Sequence, residues 1–503
     1  VSLYKDGFPA RYGGRLSSVL DISMKEGNRK TFAGKIDMGV LAGGFLLEGP
    51  LKKQQSSFLI TARASTLGLL KLPDRIAFAQ KKRNDYNGLS FYDLNAKINY
   101  RIDDKSRLFL SFYNGYDQNI TKTQVPSVSL SQECLNWGNT TLSTRYNRII
   151  NPKLFGKAIL AYVKYRYQLS NSGNSQTYTP DTLKTLYDQR NMSQITDLSA
   201  KVAFDYTPTS AHYVRFGADA TQHYYTPNAQ IGTFNSLING TQTDTTLSNT
   251  QHINAKEFAA YVEDEWQIHR HFKLNAGVHY SGFIVEKQYY QALEPRLNLY
   301  YAIGNFAAIK LSYSFMQQYI HLLTNYAIGY PNDIWVPATA SVMPQNAHQV
   351  ALSLDKTFNK LQIDAGLSAY YKKMNHVIDY RDGSSYLFNY TQNWEDLIAT
   401  NGKGEAYGIE AWIHRKTGKL NGWANYTLAY NNRQFADINQ GKVFMYNYDQ
   451  RHTFNIVLNW TINKHYSLSA NWTYRTGRPV TLPTNVYQAD GIGTIYVFDS
   501  RNN

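Results

Sequence analysis

The sequence predicts an all-β chain folded as a transmembrane antiparallel β-barrel, and three observations carry that expectation. Segments with one apolar and one polar face recur along the chain. The connections between them alternate between tight turns and long loops, as in a barrel with short turns on one side of a membrane and long loops on the other. No run of about 18 apolar residues occurs, so any membrane is crossed by strands rather than helices. The mean hydropathy of −0.46 and the hydrophobic content of 43% agree with this, because only alternate residues of such a strand meet lipid. A chain of 503 residues is long enough for one very large barrel.

The clearest strands alternate with period two. Phe272, Leu274, Ala276, Val278, Tyr280 and Ile284 face one way, and Lys273, Asn275, His279 and Ser281 the other. Ile309, Leu311, Tyr313 and Phe315 alternate with Lys310, Ser312 and Ser314. The same pattern sets Phe454, Ile456, Leu458 and Trp460 against Thr453, Asn455, Asn459 and Thr461, and Leu468, Ala470, Trp472 and Tyr474 against their polar neighbours. A helix would scatter these residues around its circumference.

Tight connections are expected near Lys52–Gln55, Asp103–Ser106, Asn151–Lys153, Thr207–Ala211, His269–His271, Gly304–Asn305, Asn359–Lys360, Thr417–Lys419 and Asn463–His465. Looser segments read as Leu67–Gly88, Thr121–Asn136, Asn171–Arg190, Asn228–His252, Gln288–Leu293, Thr324–Met343, Arg381–Lys403 and Ala436–Asn447. Prolines respect this map: Pro152 and Pro208 fall in tight turns, Pro227 and Pro337 in loops, and Pro50, Pro295, Pro344 and Pro479 at strand ends. A proline inside a strand would delete a ladder donor. The count is roughly 19 strands between Thr31 and Val480, most of them longer than the ~9–11 residues a span needs.

Tyrosine (41), phenylalanine (23) and tryptophan (8) are abundant; they can form girdles at both membrane interfaces, though tyrosine is also simply a good strand former. The net charge is +15, but the basic residues are scattered rather than gathered in a stripe, which argues against nucleic acid. Outer-membrane lipids, lipopolysaccharide among them, or an anionic ligand fit at least as well. The lone Cys134 excludes an internal disulfide framework and a cysteine zinc cluster.

The first residues depart from the barrel pattern. Gly7-Phe8-Pro9-Ala10-Arg11-Tyr12-Gly13-Gly14-Arg15-Leu16-Ser17-Ser18-Val19-Leu20-Asp21-Ile22 is punctuated by glycine and ends in a short strand. It resembles the closing segment of the plug domain of TonB-dependent outer-membrane receptors, in particular the subgroup with a carboxypeptidase-regulatory-like domain ahead of the plug. Leu47-Glu48-Gly49-Pro50, Phe91-Tyr92-Asp93-Leu94-Asn95-Ala96-Lys97, Glu294-Pro295-Arg296-Leu297, Gly404-Glu405-Ala406-Tyr407-Gly408-Ile409-Glu410, Gly422-Trp423-Ala424-Asn425-Tyr426-Thr427, Asp449-Gln450-Arg451-His452 and Thr476-Gly477-Arg478-Pro479-Val480 extend the likeness in order along the chain. The resemblance implies a plugged barrel of about 22 strands, with residues 1–27 as the end of the plug and 28–503 as the barrel. On that expectation part of the plug, the segment that engages TonB and about three closing strands lie outside this sequence. The resemblance further implies a location in the cell outer membrane. The implied function is active uptake of a nutrient of the siderophore, glycan, peptide or cobalamin class, small or oligomeric. The energy comes from the TonB-ExbB-ExbD complex, and a surface lipoprotein is a further possible partner.

Six residues are candidates for binding that nutrient. Arg11, Tyr12 and Arg15 either face a ligand or pair with acids of the barrel wall, the second being the stronger expectation because buried charges need partners. Tyr326, Tyr330 and Trp335 lie in a loop stiffened by Pro331, Pro337 and Pro344, where flat rings suit stacking on a ligand or packing against other loops. Neither a cofactor nor an enzymatic site is expected. Glu263, Asp264 and Glu265 are consecutive on a strand and so point to alternating faces. Gly402-Lys403-Gly404 lacks the strand–loop–helix setting of a phosphate loop. The alternative from another class is a non-transporting outer-membrane barrel, a surface adhesin or hydrolase.

Overall fold

Period-two segments can satisfy their backbone groups inside a membrane only by pairing in a closed sheet, and that is the architecture found. The computed structural model describes residues 2–5, 7–125, 128–177, 183–238, 241–324, 333–384, 390–489, 493–498 and 500–502. Among them, nineteen long strands run up and down from Ala33–Met38 to Ser467–Arg475 in one closed antiparallel barrel. Because the number is odd, the first and last strands run the same way where they meet, and both are exposed along their whole length.

The register separates two faces. Trp266, Leu274, Leu299, Leu311, Leu352, Ala369, Ile409 and Leu428 are successive cross-strand partners and make an apolar belt around the outside. One residue away, Tyr300, Lys310, Ser353, Ser368, Glu410 and Thr427 form the facing row inside. A slip of one residue would exchange the rows. Leu352 and Leu367 are each 52% exposed on the outer face, a surface that water would disfavour and acyl chains would cover. The stacked pair Tyr407 and Tyr430, with ring centroids 4.9 Å apart, sits in the outward row just above the belt.

Tight turns are closed by short polar side chains that accept nearby backbone hydrogens. Asp103 Oδ1 accepts Lys105 N–H (2.7 Å), Asn151 Oδ1 accepts Lys153 N–H (2.9 Å), and Asn463 Oδ1 accepts His465 N–H (2.9 Å).

The opposite ends differ from the sequence expectation. Much of Thr121–Asn136, Asn171–Arg190 and Asn228–His252 is paired strand rather than loop: Leu183–Thr209 and His212–Ile238 are each 27 residues long, and Thr241–Thr250 pairs with the tip of the latter. These hairpins project past the bilayer, where both faces meet water. Alternation therefore disappears from the sequence while the β-branched threonines keep the ladder. Gln288–Leu293 likewise belongs to the strand Gln288–Ile303. Leu67–Gly88 contains two short helices, Leu67–Leu70 and Leu72–Ala79, and Pro483–Ala489 pairs with Gly493–Phe498.

Pro227 and Pro295 fall well inside strands, while Pro50 and Pro208 lie within two residues of the ends of Ala42–Lys52 and Leu183–Thr209. Pro227 occupies the place where pairing with Leu183–Thr209 shifts register between Met192 and Gln194, a bulge that needs no donor there. Pro295 is interior to Gln288–Ile303, but the ladder to Ala307–Gln318 begins only at Arg296. Phe315 O takes its hydrogen from Arg296 Nε at 3.2 Å.

Candidate functional site

Residues 2–5 and 7–25 lie against the inward faces of the wall. Ser2–Tyr4 pairs with Val19–Asp21, and the chain between them turns at Gly13 and Gly14. Gly14 has φ +70°, a conformation that glycine adopts freely. A Cβ on Gly13 would overlap the imidazole of His279, whose Nδ1 meets Ala10 O at 2.8 Å.

Three inward rows seat this segment. Arg11 forms an ion pair with Glu263, whose side chain is fully buried, and donates its backbone N–H to Glu263 Oε2 at 3.1 Å. Burial, the largest influence, lowers the pKa of Arg11, but the Glu263 charge and the hydrogen bonds to Tyr12 and Glu263 together outweigh it and hold the guanidinium above its ordinary range. Arg215 binds the same carboxylate (3.1 Å) together with Glu265 (2.6 Å) and Asp205 (3.4 Å), and Lys273 adds a contact to Glu265 (2.6 Å). Asp264 points the other way, to His212 at 2.6 Å, so the three consecutive acids serve two faces of the wall.

Tyr12 O accepts Arg296 at 2.9 Å, and the buried Arg296 also binds Glu294 at 2.8 Å. Ser281 Oγ then links Glu294 to Tyr319 through two contacts of 2.9 Å. A chain of buried polar groups thus runs from the inner segment to the hairpin of Ile320–Leu323 and Ile334–Pro337, which caps the lumen. Leu16 N–H donates to Gln318 (3.2 Å), and Leu16 O accepts Lys372 (2.5 Å). Farther along, Glu48 receives both Lys25 (2.6 Å) and Asn28 N–H (3.1 Å), where the segment passes into the first strand.

The expected binding residues divide. Arg11 is turned to the wall. Tyr12 is turned to its own segment, its hydroxyl donating to Asp21 at 2.8 Å, with its pKa pushed up to about 12 by burial and by that carboxylate. Arg15 and Trp335 come together on one cavity of about 210 Å³ between the inner segment, the capping hairpin and the wall. Tyr326 and Tyr330 lie outside the described residues. Within the cavity, the His223 ring is held between Asp197 (2.8 Å) and Glu257 (3.4 Å) and stacks on Tyr225, centroids 5.3 Å apart. Arg15 is exposed there, its guanidinium donating to Gly14 O at 2.6 Å. Among the described residues no carboxylate lies within ion-pair reach of it, so the cavity offers one cation, two rings able to stack (Tyr165 and Trp335) and two carboxylates already engaged by histidine.

The reading from sequence missed Asp197, His223, Tyr225 and Glu257. Their only signal is inward parity on three neighbouring strands, and the match of 197 to 223 across a bulged ladder is invisible without the register.

A family model described as TonB dependent receptor-like, beta-barrel matches residues 68–499. No curated protein sequence matches the chain. Solved structures that resemble it include the ferric-catecholate import receptor Fiu from E. coli K12, with 11% identity and a TM-score of 0.59, covering 89% of this chain and 71% of that one. The alcaligin outer-membrane receptor FauA from Bordetella pertussis has 12% identity and a TM-score of 0.56, covering 94% and 73%. The ferripyoverdine receptor of the outer membrane of Pseudomonas aeruginosa has 11% identity and a TM-score of 0.62, covering 94% and 65%. At these identities the likeness is one of fold.

Proposed function

The chain belongs to the TonB-dependent receptor-like β-barrel family, and from that premise we propose that it imports a polar nutrient bearing an anionic group, captured between Arg15 and Trp335. The family is made up of outer-membrane transport receptors that work with the TonB-ExbB-ExbD complex. Residues 1–27 act here as the end of the plug and 28–503 as the barrel around it.

One observation carries the choice of ligand. The Arg15 guanidinium faces a cavity with no carboxylate partner among the described residues, whereas Arg11 and Arg296 are each paired with a buried acid. A cation in a concave site without a direct ion-pair partner, where the nearby carboxylates are engaged by histidine, is a place for a carboxylate, phosphate, catecholate or hydroxamate oxygen. Trp335 beside it suits a flat or ring-bearing group. The resembling structures are receptors for ferric catecholate, alcaligin and ferripyoverdine, so ferric siderophores head the panel to be tested, followed by acidic glycans, peptides and cobalamin.

Equilibrium binding of that panel to the purified protein tests the reading. Arg15→Ala is expected to weaken the bound member by about 10–100-fold, the loss of a charge-assisted hydrogen bond worth about 1.5–3 kcal/mol. Trp335→Ala is expected to weaken it by up to about tenfold. Undiminished binding by Arg15→Ala would reject this site.

A further inference from the structure

The outer face of the wall holds a second concavity, on the opposite side of strands that also line the nutrient cavity. The register places Leu160, Ala200, Ala220, Phe258 and Gly282 in one outward row across five neighbouring strands. The adjoining row carries Leu198, Lys256 and Ile284. The two alanines sit low between larger side chains and leave a furrow of about 680 Å³ with almost wholly apolar walls.

Three cations stand at its upper rim. Lys256 lines the furrow, and Lys164 and Arg166 follow Tyr162 on the same outward face of Leu154–Thr177. Among the described residues none of the three has an ion-pair partner; Arg166 lies 5.8 Å over the Tyr116 ring. Lys164 and Lys256 are roughly 11 and 13 residues above the tight turns. At a strand tilt of about 40° this puts them roughly 28–33 Å from the turn side, beyond an apolar band about 25 Å tall. They therefore stand at headgroup level on the side of the long loops, and the furrow descends from them into the acyl region. A lipid-facing cation at this depth is stabilised by a phosphate rather than by hydrocarbon. The strands bearing Lys164 and Lys256 are three apart, so the two amines are separated by roughly 15 Å, which suits a headgroup with a phosphate at each end.

We propose that this furrow and its three cations bind a phosphorylated, multiply acylated glycolipid of the outer leaflet. One acyl chain lies over Ala200 and Ala220, and the phosphates sit on Lys164, Arg166 and Lys256. The site is independent of the nutrient cavity and rests only on which face of the wall meets lipid.

Native mass spectrometry of the purified barrel, titrated with bisphosphorylated hexa-acyl lipid A and with its dephosphorylated form, tests the assignment. The wild type is expected to retain the bisphosphorylated lipid. The variant Lys164→Ala/Arg166→Ala/Lys256→Ala is expected to retain at least about tenfold less and to lose discrimination between the two lipids. Ala200→Leu/Ala220→Leu, with the cations intact, is expected to retain severalfold less by filling the furrow. Equal retention by the wild type and the cation variant, or no preference of the wild type for the phosphorylated form, overturns the proposal. The cation variant alters only outward side chains, so it decides the matter even if filling the furrow prevents folding.

Discussion

Glu263→Ala is expected to weaken the seating of residues 2–5 and 7–25 in the barrel by about 3–5 kcal/mol, the cost of leaving buried charge without its partner. The local charges balance as they stand: Asp205, Glu263 and Glu265 face Arg11, Arg215 and Lys273. Removing one carboxylate leaves two guanidiniums facing each other and strips an acceptor from the Arg11 backbone N–H. Glu263→Gln keeps an acceptor and loses only the charge, so its effect is expected to be intermediate. Combining it with Arg11→Gln restores neutrality and is expected to recover part of the loss. Hydrogen exchange over residues 8–16 and tryptic cleavage at Arg11 and Arg15 read the seating, while heat-modifiable migration in a gel reports the barrel separately. Unchanged protection of residues 8–16 in Glu263→Ala would show that the ion pair does not hold the segment.

Leu352→Arg is expected to destabilise the barrel by about 2–4 kcal/mol in a bilayer, the range for arginine facing lipid near the midplane. Leu352 is 52% exposed on the outward belt, about six residues above its tight turn and so roughly 15 Å into the membrane. Ser353→Arg, one residue along, faces the lumen beside Lys310 and Ser368 and is expected to cost much less. Folding titrations into lipid vesicles compare the two. Equal costs, or a greater cost at Ser353, would place the apolar belt against protein rather than lipid.

Where one face meets lipid, the chain announces its fold. Leu468, Ala470, Trp472 and Tyr474 alternate cleanly, and the strand Ser467–Arg475 pairs with His452–Thr461 so that all four share the outer face. That signal ends at the membrane boundary. Thr241–Thr250 is fully paired, yet it has water on both sides and the composition of a loop. Pro295 reads as a strand end because a missing donor normally ends pairing, but here the ladder on one side had already stopped and an arginine side chain serves the carbonyl left over. The inner site is less legible still. Arg11 and Glu263 are 252 residues apart in sequence, and only the closed barrel brings them into contact. Arg15 and Trp335 could be named from residue type, but their shared cavity depends on how the capping hairpin folds back over the lumen. Asp197, His223 and Glu257 carry only the inward parity of their strands; the register between strands assembles them.

Alternate side chains of each strand touch acyl chains while their neighbours line an interior. Nitroxide labels placed singly from Lys273 to Tyr280 in bilayer-reconstituted protein test this through their accessibility to dissolved oxygen. Maxima are expected at Leu274, Ala276, Val278 and Tyr280 and minima at Lys273, Asn275, Gly277 and His279. A profile without this alternation, or one with its maxima at the second set, would contradict it.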